Sequence, residues 1–189
     1  MKNFFDLTAP IYEKVALGAG RSFGKIEKLG DFKKTDKVLD LAGGSGRIAK
    51  FLSGKVEEIT VVDASSEMIK QCLKHDGLKC VLTPAENLPF PSDYFDKIII
   101  VDAWHHFADR EQVTREILRI LKPSGQIIIE EFNPQKFLGR LIELFEKLLK
   151  MNSVFYTPAS LREFWSGHGF RVELVDNQQT AYYTVLKKS

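Results

Sequence analysis

Three short stretches of this chain carry residues whose types and spacing could do chemistry. The first, Asp40-Leu41-Ala42-Gly43-Gly44-Ser45-Gly46-Arg47, joins one apolar run to another containing Ile48, Ala49, Phe51 and Leu52. Glycines at such a junction let the backbone turn tightly and approach a ligand, and a following helix would present N–H groups beside it. Gly44-x-Gly46-x-x-Ala49 also matches a dinucleotide fingerprint, though a plain strand-to-helix turn would use the same residues. Nineteen residues beyond Gly44 stands Asp63, ending the second apolar run. A carboxylate there can accept hydrogen bonds from both hydroxyls of a ribose, or it can cap a helix starting near Ser65. The third stretch is Trp104-His105-His106, just past the fourth apolar run. An imidazole titrates near ~6.5, so either histidine is a candidate general base. The competing reading packs one ring beneath a ligand and uses the other to cap a helix near Asp109.

Elements must hold these stretches together. Continuous β-branched runs at 37–42, 58–63, 78–83, 95–101 and 126–132 suit strands buried on both faces of a parallel sheet. Helical periodicity marks 65–73, 111–121, 137–149 and 157–165, and Lys122-Pro123-Ser124-Gly125 reads as a helix stop. Two further strands, 170–175 and 180–186, read as an antiparallel pair. The expected fold is α/β, a doubly wound, mostly parallel seven-stranded sheet ending in that pair. Ligands bind such sheets beyond the carboxyl ends of the strands, where all three stretches fall. The stripe Phe137, Leu138, Leu141, Ile142, Phe145, Leu148, Leu149 reads first as packing onto the sheet. Its other readings are a wall of an apolar pocket and, diluted by Glu143 and Glu146, a membrane contact.

Composition narrows the classes. With 189 residues, 44% hydrophobic and 28% charged, the chain is neither disordered nor too small for a core. A net charge of +2 argues against a nucleic-acid partner. Cys72 and Cys80 lack a CxxC spacing and read as reduced thiols in a cytoplasmic protein, with no disulfide scaffold. His75 and His168 are isolated in sequence and read as solvent-facing, so no metal site is expected. No run reaches the ~18 apolar residues of a membrane span, and the first residues lack a signal peptide's apolar region. Ten of the fourteen phenylalanines lie at or before Phe32 or from Phe132 onward, flanking the strand-rich centre.

Together, the glycine turn, the acidic strand end, AENLPFP at 85–91, YFDKI at 94–98 and ILRILKPSGQIII at 117–129 resemble the class I S-adenosylmethionine-dependent methyltransferases, in their small-molecule branch. The resemblance covers roughly residues 37–132. LDLAGGSG is similar to the ubiquinone/menaquinone biosynthesis type, which also replaces the first glycine by alanine. Phe5-Asp6-x-x-Ala9-x-x-Tyr12 and Glu131-Phe132-Asn133-Pro134 point the same way. The resemblance implies a Rossmann-like methyltransferase fold and a methyl transfer from S-adenosylmethionine to a small molecule, aromatic or quinone-like. It places Asp40 and the turn Ala42, Gly43, Gly44, Ser45 and Gly46 against the methionine portion of the cofactor. Asp63 would hold the ribose, Ala64 and Met68 would flank the adenine, and Ala85 and Glu86 would line its edge. Asp102 would lie near the sulfonium, and Tyr12 would belong to an N-terminal lid. It further implies one domain, with the lid at 1–32, the cofactor core at 37–132 and a helical cover with terminal strands at 133–189.

Two departures stand out. Pro84 occupies a position where the family often has an Asp that bonds the adenine amine, and Tyr156–Ser189 matches the quinone enzymes' ending poorly. No NPPY-like tetrapeptide follows the fourth strand, where Val101-Asp102-Ala103-Trp104 stands, so a small-molecule acceptor is expected and nucleic acid is not. His105 and His106 are the catalytic candidates, and a monomer or homodimer without an integral membrane segment is expected. The rival readings are an NAD-dependent oxidoreductase and a non-catalytic S-adenosylmethionine-binding protein.

Overall fold

Strands whose two faces are both apolar must be covered on both sides, and that requirement organises this molecule. The computed structural model describes residues 19–149, 151, 153–176 and 180–188. Helix α1 (Ala19–Gly30) leads into strand β1 (Lys37–Leu41), followed by β2 (Glu58–Asp63), α2 (Ser66–Cys72), β3 (Lys79–Leu82) and β4 (Phe95–Val101). Helix α3 (Arg110–Ile120), β5 (Leu121–Phe132), α4 (Phe137–Leu148), α5 (Pro158–Gly167), β6 (Phe170–Asp176) and β7 (Ala181–Lys188) complete it. The sheet order is β3-β2-β1-β4-β5-β7-β6. The first five strands run parallel, and β7 lies antiparallel between β5 and β6. This is the seven-stranded, doubly wound sheet expected from the sequence.

Alternate residues of the central strands feed two cores. Leu39, Leu41, Ile98 and Ile100 face one side with Trp104, Ile117 and Trp165, while Val38, Ile99 and Ile128 face the other with Ile26 and Leu52. Local sequence sets the helix starts. The Ser65 side chain accepts from Met68 N, Asp109 from Gln112 N, and Thr157 from Ser160 N with Pro158 following. Strand order reverses between β1 and β4, so a crevice opens beyond their carboxyl ends.

Several expectations need correction. After the glycine turn there is only a 3-10 turn, Ala49–Phe51, where a helix was expected. The chain is spent burying Ile48, Ala49 and Leu52 before Ser53 and Gly54 end the segment. Helix α3 ends at Ile120, as the stop signal after it implies, but strand β5 begins at Leu121, five residues earlier than expected. His168 is not simply solvent-facing, because its ring bonds the Phe164 carbonyl and the Glu111 carboxylate. Tyr12 and the apolar residues Phe4 to Leu17 of the expected lid lie outside the described residues. No helix among the described residues is long and apolar enough to cross a membrane.

Cys72 and Cys80 form a disulfide, not the reduced pair read from the sequence. Cys72 closes α2 and Cys80 lies in β3, and the turn between them brings their Cα atoms to 6.2 Å, inside the range a disulfide spans. Closing so short a loop restricts the unfolded chain by about 2.5 kcal/mol. Reduction by dithiothreitol should therefore lower the unfolding free energy by about 2 kcal/mol in a urea titration. An unchanged midpoint would show that the bond is absent in solution.

The apolar stripe of α4 does not pack onto the sheet. Phe137 is 79% exposed and Leu148 74%, with Leu144 and Phe145 over half exposed. The inward residues are Gly139 and Glu146, seven apart and so on one helix face. A Cβ at Gly139 would overlap the Asn133 carbonyl oxygen, so only glycine allows this approach. The inward face is thereby set by Gly139 and Glu146, and the apolar stripe turns outward.

Candidate active site

The crevice beyond β1 and β4 is a cavity of about 260 Å³. Its backbone wall is the glycine turn. Gly44 and Gly46 have φ of +58° and +78°, and Ala42 shares the left-handed region at +56°. Gly44 N donates to Asp63 Oδ2 at 2.9 Å and Ser65 N to Asp63 Oδ1 at 2.8 Å, tying the turn to the end of β2. Asp63 stands at the end of β2 and, through Ser65 N, supports the start of α2, whose cap is Ser65 itself. A Cβ at Gly43 would collide with the Asp40 carboxylate, so the glycine is what lets that acid sit beneath the turn.

Asp40, Ala42, Gly43, Gly44, Asp63, Ala64, Met68, Ala85, Glu86, Asp102 and His106 all line the cavity. Pro84 lines it too, at the edge where Ala85 and Glu86 stand. Ser45 is fully buried and outside the lining, and the missing side chain of Gly46 faces Leu78 and Cys72. Both shape the turn from behind. His105 does not reach the cavity and is 1% exposed.

Sequence reasoning gave no role to Arg47 or Phe107, which also line the cavity. Arg47 sits directly after the glycine turn, which was its available signal. Its Nη2 lies 3.2 Å from Asp102 Oδ2.

The floor of the cavity is acidic. Burial pushes Asp40 up to about 7 against the pull of Arg47. Burial and then the nearby Glu130 carboxylate push Asp102 up to about 7. Oδ1 of Asp102 has no hydrogen-bond partner among the described residues, and Asp40 has none beyond a weak approach of the Ala49 backbone. Buried carboxylates are normally paired or hydrogen-bonded, so these oxygens fit a ligand that brings positive charge.

Beside this floor, Glu131 pins the Trp104–His106 turn. Its Oε1 accepts from Trp104 N at 2.7 Å and its Oε2 lies 2.6 Å from His105 Nδ1. His106 Nδ1 lies 3.0 Å from Ser153 Oγ, and the two rings are 4.0 Å apart. Burial opposes charge on His105, but Glu131 and Glu146 outweigh it and push the ring up to about 10. Burial and the adjacent His105 push His106 down to about 4, so its ring is neutral near pH 7. The sequence showed no metal spacing, yet folding brings His105, His106 and Glu146 together, with one ligand atom from each lying within 4.8 Å of the others.

Comparisons with known proteins agree with this arrangement. A family model described as a methyltransferase domain matches residues 39–129. The demethylmenaquinone methyltransferase of Thermotoga maritima is 38% identical over 119 residues, covering 59% of this chain and 52% of that protein. The ubiquinone/menaquinone biosynthesis C-methyltransferase UbiE of Geotalea daltonii is 28% identical over 201 residues, covering 92% of this chain and 85% of that one. The chain spans about half the length of the first curated relatives it matches. In fold, it matches a SAM-dependent methyltransferase from Aquifex aeolicus with a TM-score of 0.79 at 16% identity, over 97% of this chain and 98% of that one. Its sheet order, its glycine turn paired to a strand-end aspartate and this match over residues 39–129 make the chain similar to the class I S-adenosylmethionine-dependent methyltransferases.

Proposed function

We propose that this protein transfers a methyl group from S-adenosylmethionine to a small aromatic acceptor of quinol type. The observation that carries the reading is the acidic cavity floor, where buried Asp40 and Asp102 are under-paired and Asp40 lies beneath the glycine turn. The cofactor's ammonium and sulfonium are positive charges that would meet this requirement, and its sulfonium supplies a methyl group already activated for displacement. NAD fits less well. Its pyrophosphate is normally held at a helix N-terminus, and the turn here leads only into the 3-10 segment Ala49–Phe51.

In this reading the chain's own residues do the positioning. Asp40 and Asp102 hold the positive end, with Arg47 keeping Asp102 in place. Asp63 accepts from the ribose hydroxyls. Met68 and Ala64 lie against one side of the adenine, and the backbone of Ala85 and Glu86 meets its edge. Tyr12 would belong to a lid that excludes water from above. The acceptor enters on the side of His106 and Phe107. Alignment of the attacking atom with the methyl group is the main catalytic contribution available to a protein in such a displacement. His106 is the side chain we assign to the acceptor's polar group, with His105 positioning it. The quinol assignment draws on the names of the relatives and on the outward apolar face of α4, which suits an acceptor with an isoprenoid tail.

Titration calorimetry with S-adenosylhomocysteine, followed by a radiolabelled methyl-transfer assay on a short-chain demethylmenaquinol, tests the reading. Saturable binding and a methylated quinol are expected. Absence of binding by folded protein would sink the cofactor assignment. Binding without transfer to any aromatic acceptor would make the protein a non-catalytic binder. Stabilisation by NAD alone in a thermal shift assay would favour the oxidoreductase.

A further inference from the structure

A carboxylate on the buried face of α4 is out of keeping with that helix, whose large apolar side chains point to solvent. Glu146 is 9% exposed, and its Oε2 has no hydrogen-bond partner among the described residues. Its Oε1 lies 3.6 Å from His105 Nε2 and 3.9 Å from His106 Nε2. His105 Nε2 is itself buried and makes no short hydrogen bond, and its ion pair with Glu146 favours charge on the ring. Each ring is held from behind through Nδ1, His105 by the Glu131 carboxylate and His106 by the Ser153 hydroxyl.

We propose that His105, His106 and Glu146 form a binding site for a divalent transition metal ion of the zinc class, at the acceptor edge of the cavity. Two imidazoles presenting Nε2 toward one carboxylate, each oriented through Nδ1 by an outer partner, is the arrangement that metal-ligating histidines adopt. Neighbouring ligands of a tetrahedral zinc ion with bonds of ~2.05 Å are ~3.4 Å apart. The two nitrogen-to-oxygen separations exceed that by about 0.2 and 0.5 Å, and all three ligand atoms lie within 4.8 Å of one another, so closing on an ion requires the rings to approach by up to about 1.4 Å. Imidazole nitrogen with one carboxylate oxygen suits zinc, iron, cobalt or nickel better than calcium or magnesium. Three protein ligands also leave a coordination position open, as in catalytic zinc sites. Of the three ligands, His106 lines the cavity, which puts the site beside the space an acceptor would enter. The metal site stands on its own geometry. With both ring nitrogens of His106 then engaged, the ion would replace His106 as the acceptor's polar contact, a use that rests on the methyl-transfer reading above.

The test is made on the full chain, stripped with a chelator and free of cofactor. Titration with Co²⁺ should produce visible absorption bands of low-symmetry coordination saturating at about one ion per chain, and Zn²⁺ should abolish them. Glu146→Gln should weaken Zn²⁺ binding by more than about tenfold in calorimetry, and Glu131→Gln should weaken it by roughly 10- to 100-fold through loss of the outer partner. Circular dichroism confirms that each variant is folded, and Glu143→Gln, on an exposed turn of the same helix, should bind like wild type. Failure of wild type to bind either ion at about 100 µM would overturn the site and leave His105 as an imidazolium paired with two carboxylates. So would unchanged affinity in folded Glu146→Gln. Because S-adenosylhomocysteine binding is measured separately, loss of the metal site and loss of the methyltransferase reading give different results.

Discussion

Asp63→Ala is expected to weaken S-adenosylhomocysteine binding by about 100-fold while the protein stays folded. A carboxylate accepting from two ribose hydroxyls makes two charge-assisted hydrogen bonds, each contributing about 1.5–3 kcal/mol against an unpaired alternative. Losing even one costs at least tenfold, since ~1.4 kcal/mol is a factor of ten. The variant also releases Gly44 N and Ser65 N from their shared acceptor, so the glycine turn loses its tie to β2. Asp63→Asn separates the two effects, because its amide oxygen can still hold one backbone N–H while the charge is gone. Calorimetry of both variants, with circular dichroism as the control, reads the result. Wild-type affinity in Asp63→Ala would mean that the ribose is not held here.

The second large effect is a dependence of cofactor affinity on pH. Burial raises Asp40 to about 7, so below that pH the ligand-free protein keeps this carboxyl protonated. A cationic ligand prefers the carboxylate, so binding must expel the proton, and affinity should climb as pH rises toward 7 and level off above it. The slope is about tenfold per pH unit for one group. Asp102, raised to the same range, can add a second tenfold per unit. The groups bearing on Asp40 are Arg47 and the Ala49 backbone, which favour its ionisation, and Asp63, which opposes it. Asp40→Asn should lower the slope by about one and weaken binding at pH 8 by more than tenfold, by removing one carboxylate partner. Calorimetry in buffers of different ionisation enthalpy would count the protons directly. The linkage also has a sign for the ligand-free protein. Between about pH 4 and 7 the native state holds a proton that the unfolded chain has released, so this group's contribution to stability falls as pH rises through that window.

Much of the cavity wall could be read from local sequence. The strands were visible because residues such as Val38, Leu39, Ile98 and Ile99 are apolar on consecutive positions, which only a strand covered on both faces tolerates. Asp63 and the glycine turn were visible because their spacing follows from one strand-turn-strand unit. The 3-10 segment at Ala49–Phe51 was misread because an apolar tetrad fits a helix or an irregular buried turn equally well. The α4 stripe was misread for a related reason. Periodicity reports that a helix has an apolar face, but which face turns inward depends on what its neighbours allow, and here Gly139 against Asn133 decided it.

By itself, then, the sequence determined the order of elements, the edge of the sheet where the cavity opens and most of the residues that line it. Those are local properties, set by hydrophobic period, turn chemistry and spacings within one β-α-β unit. Only the tertiary structure decided that Cys72 meets Cys80, that Asp40 and Asp102 share a floor with Arg47, and that Glu146 on α4 reaches back to His105 and His106. Such contacts join residues from separate elements. Their distances depend on how the strands twist and the helices dock, which no spacing along the chain encodes.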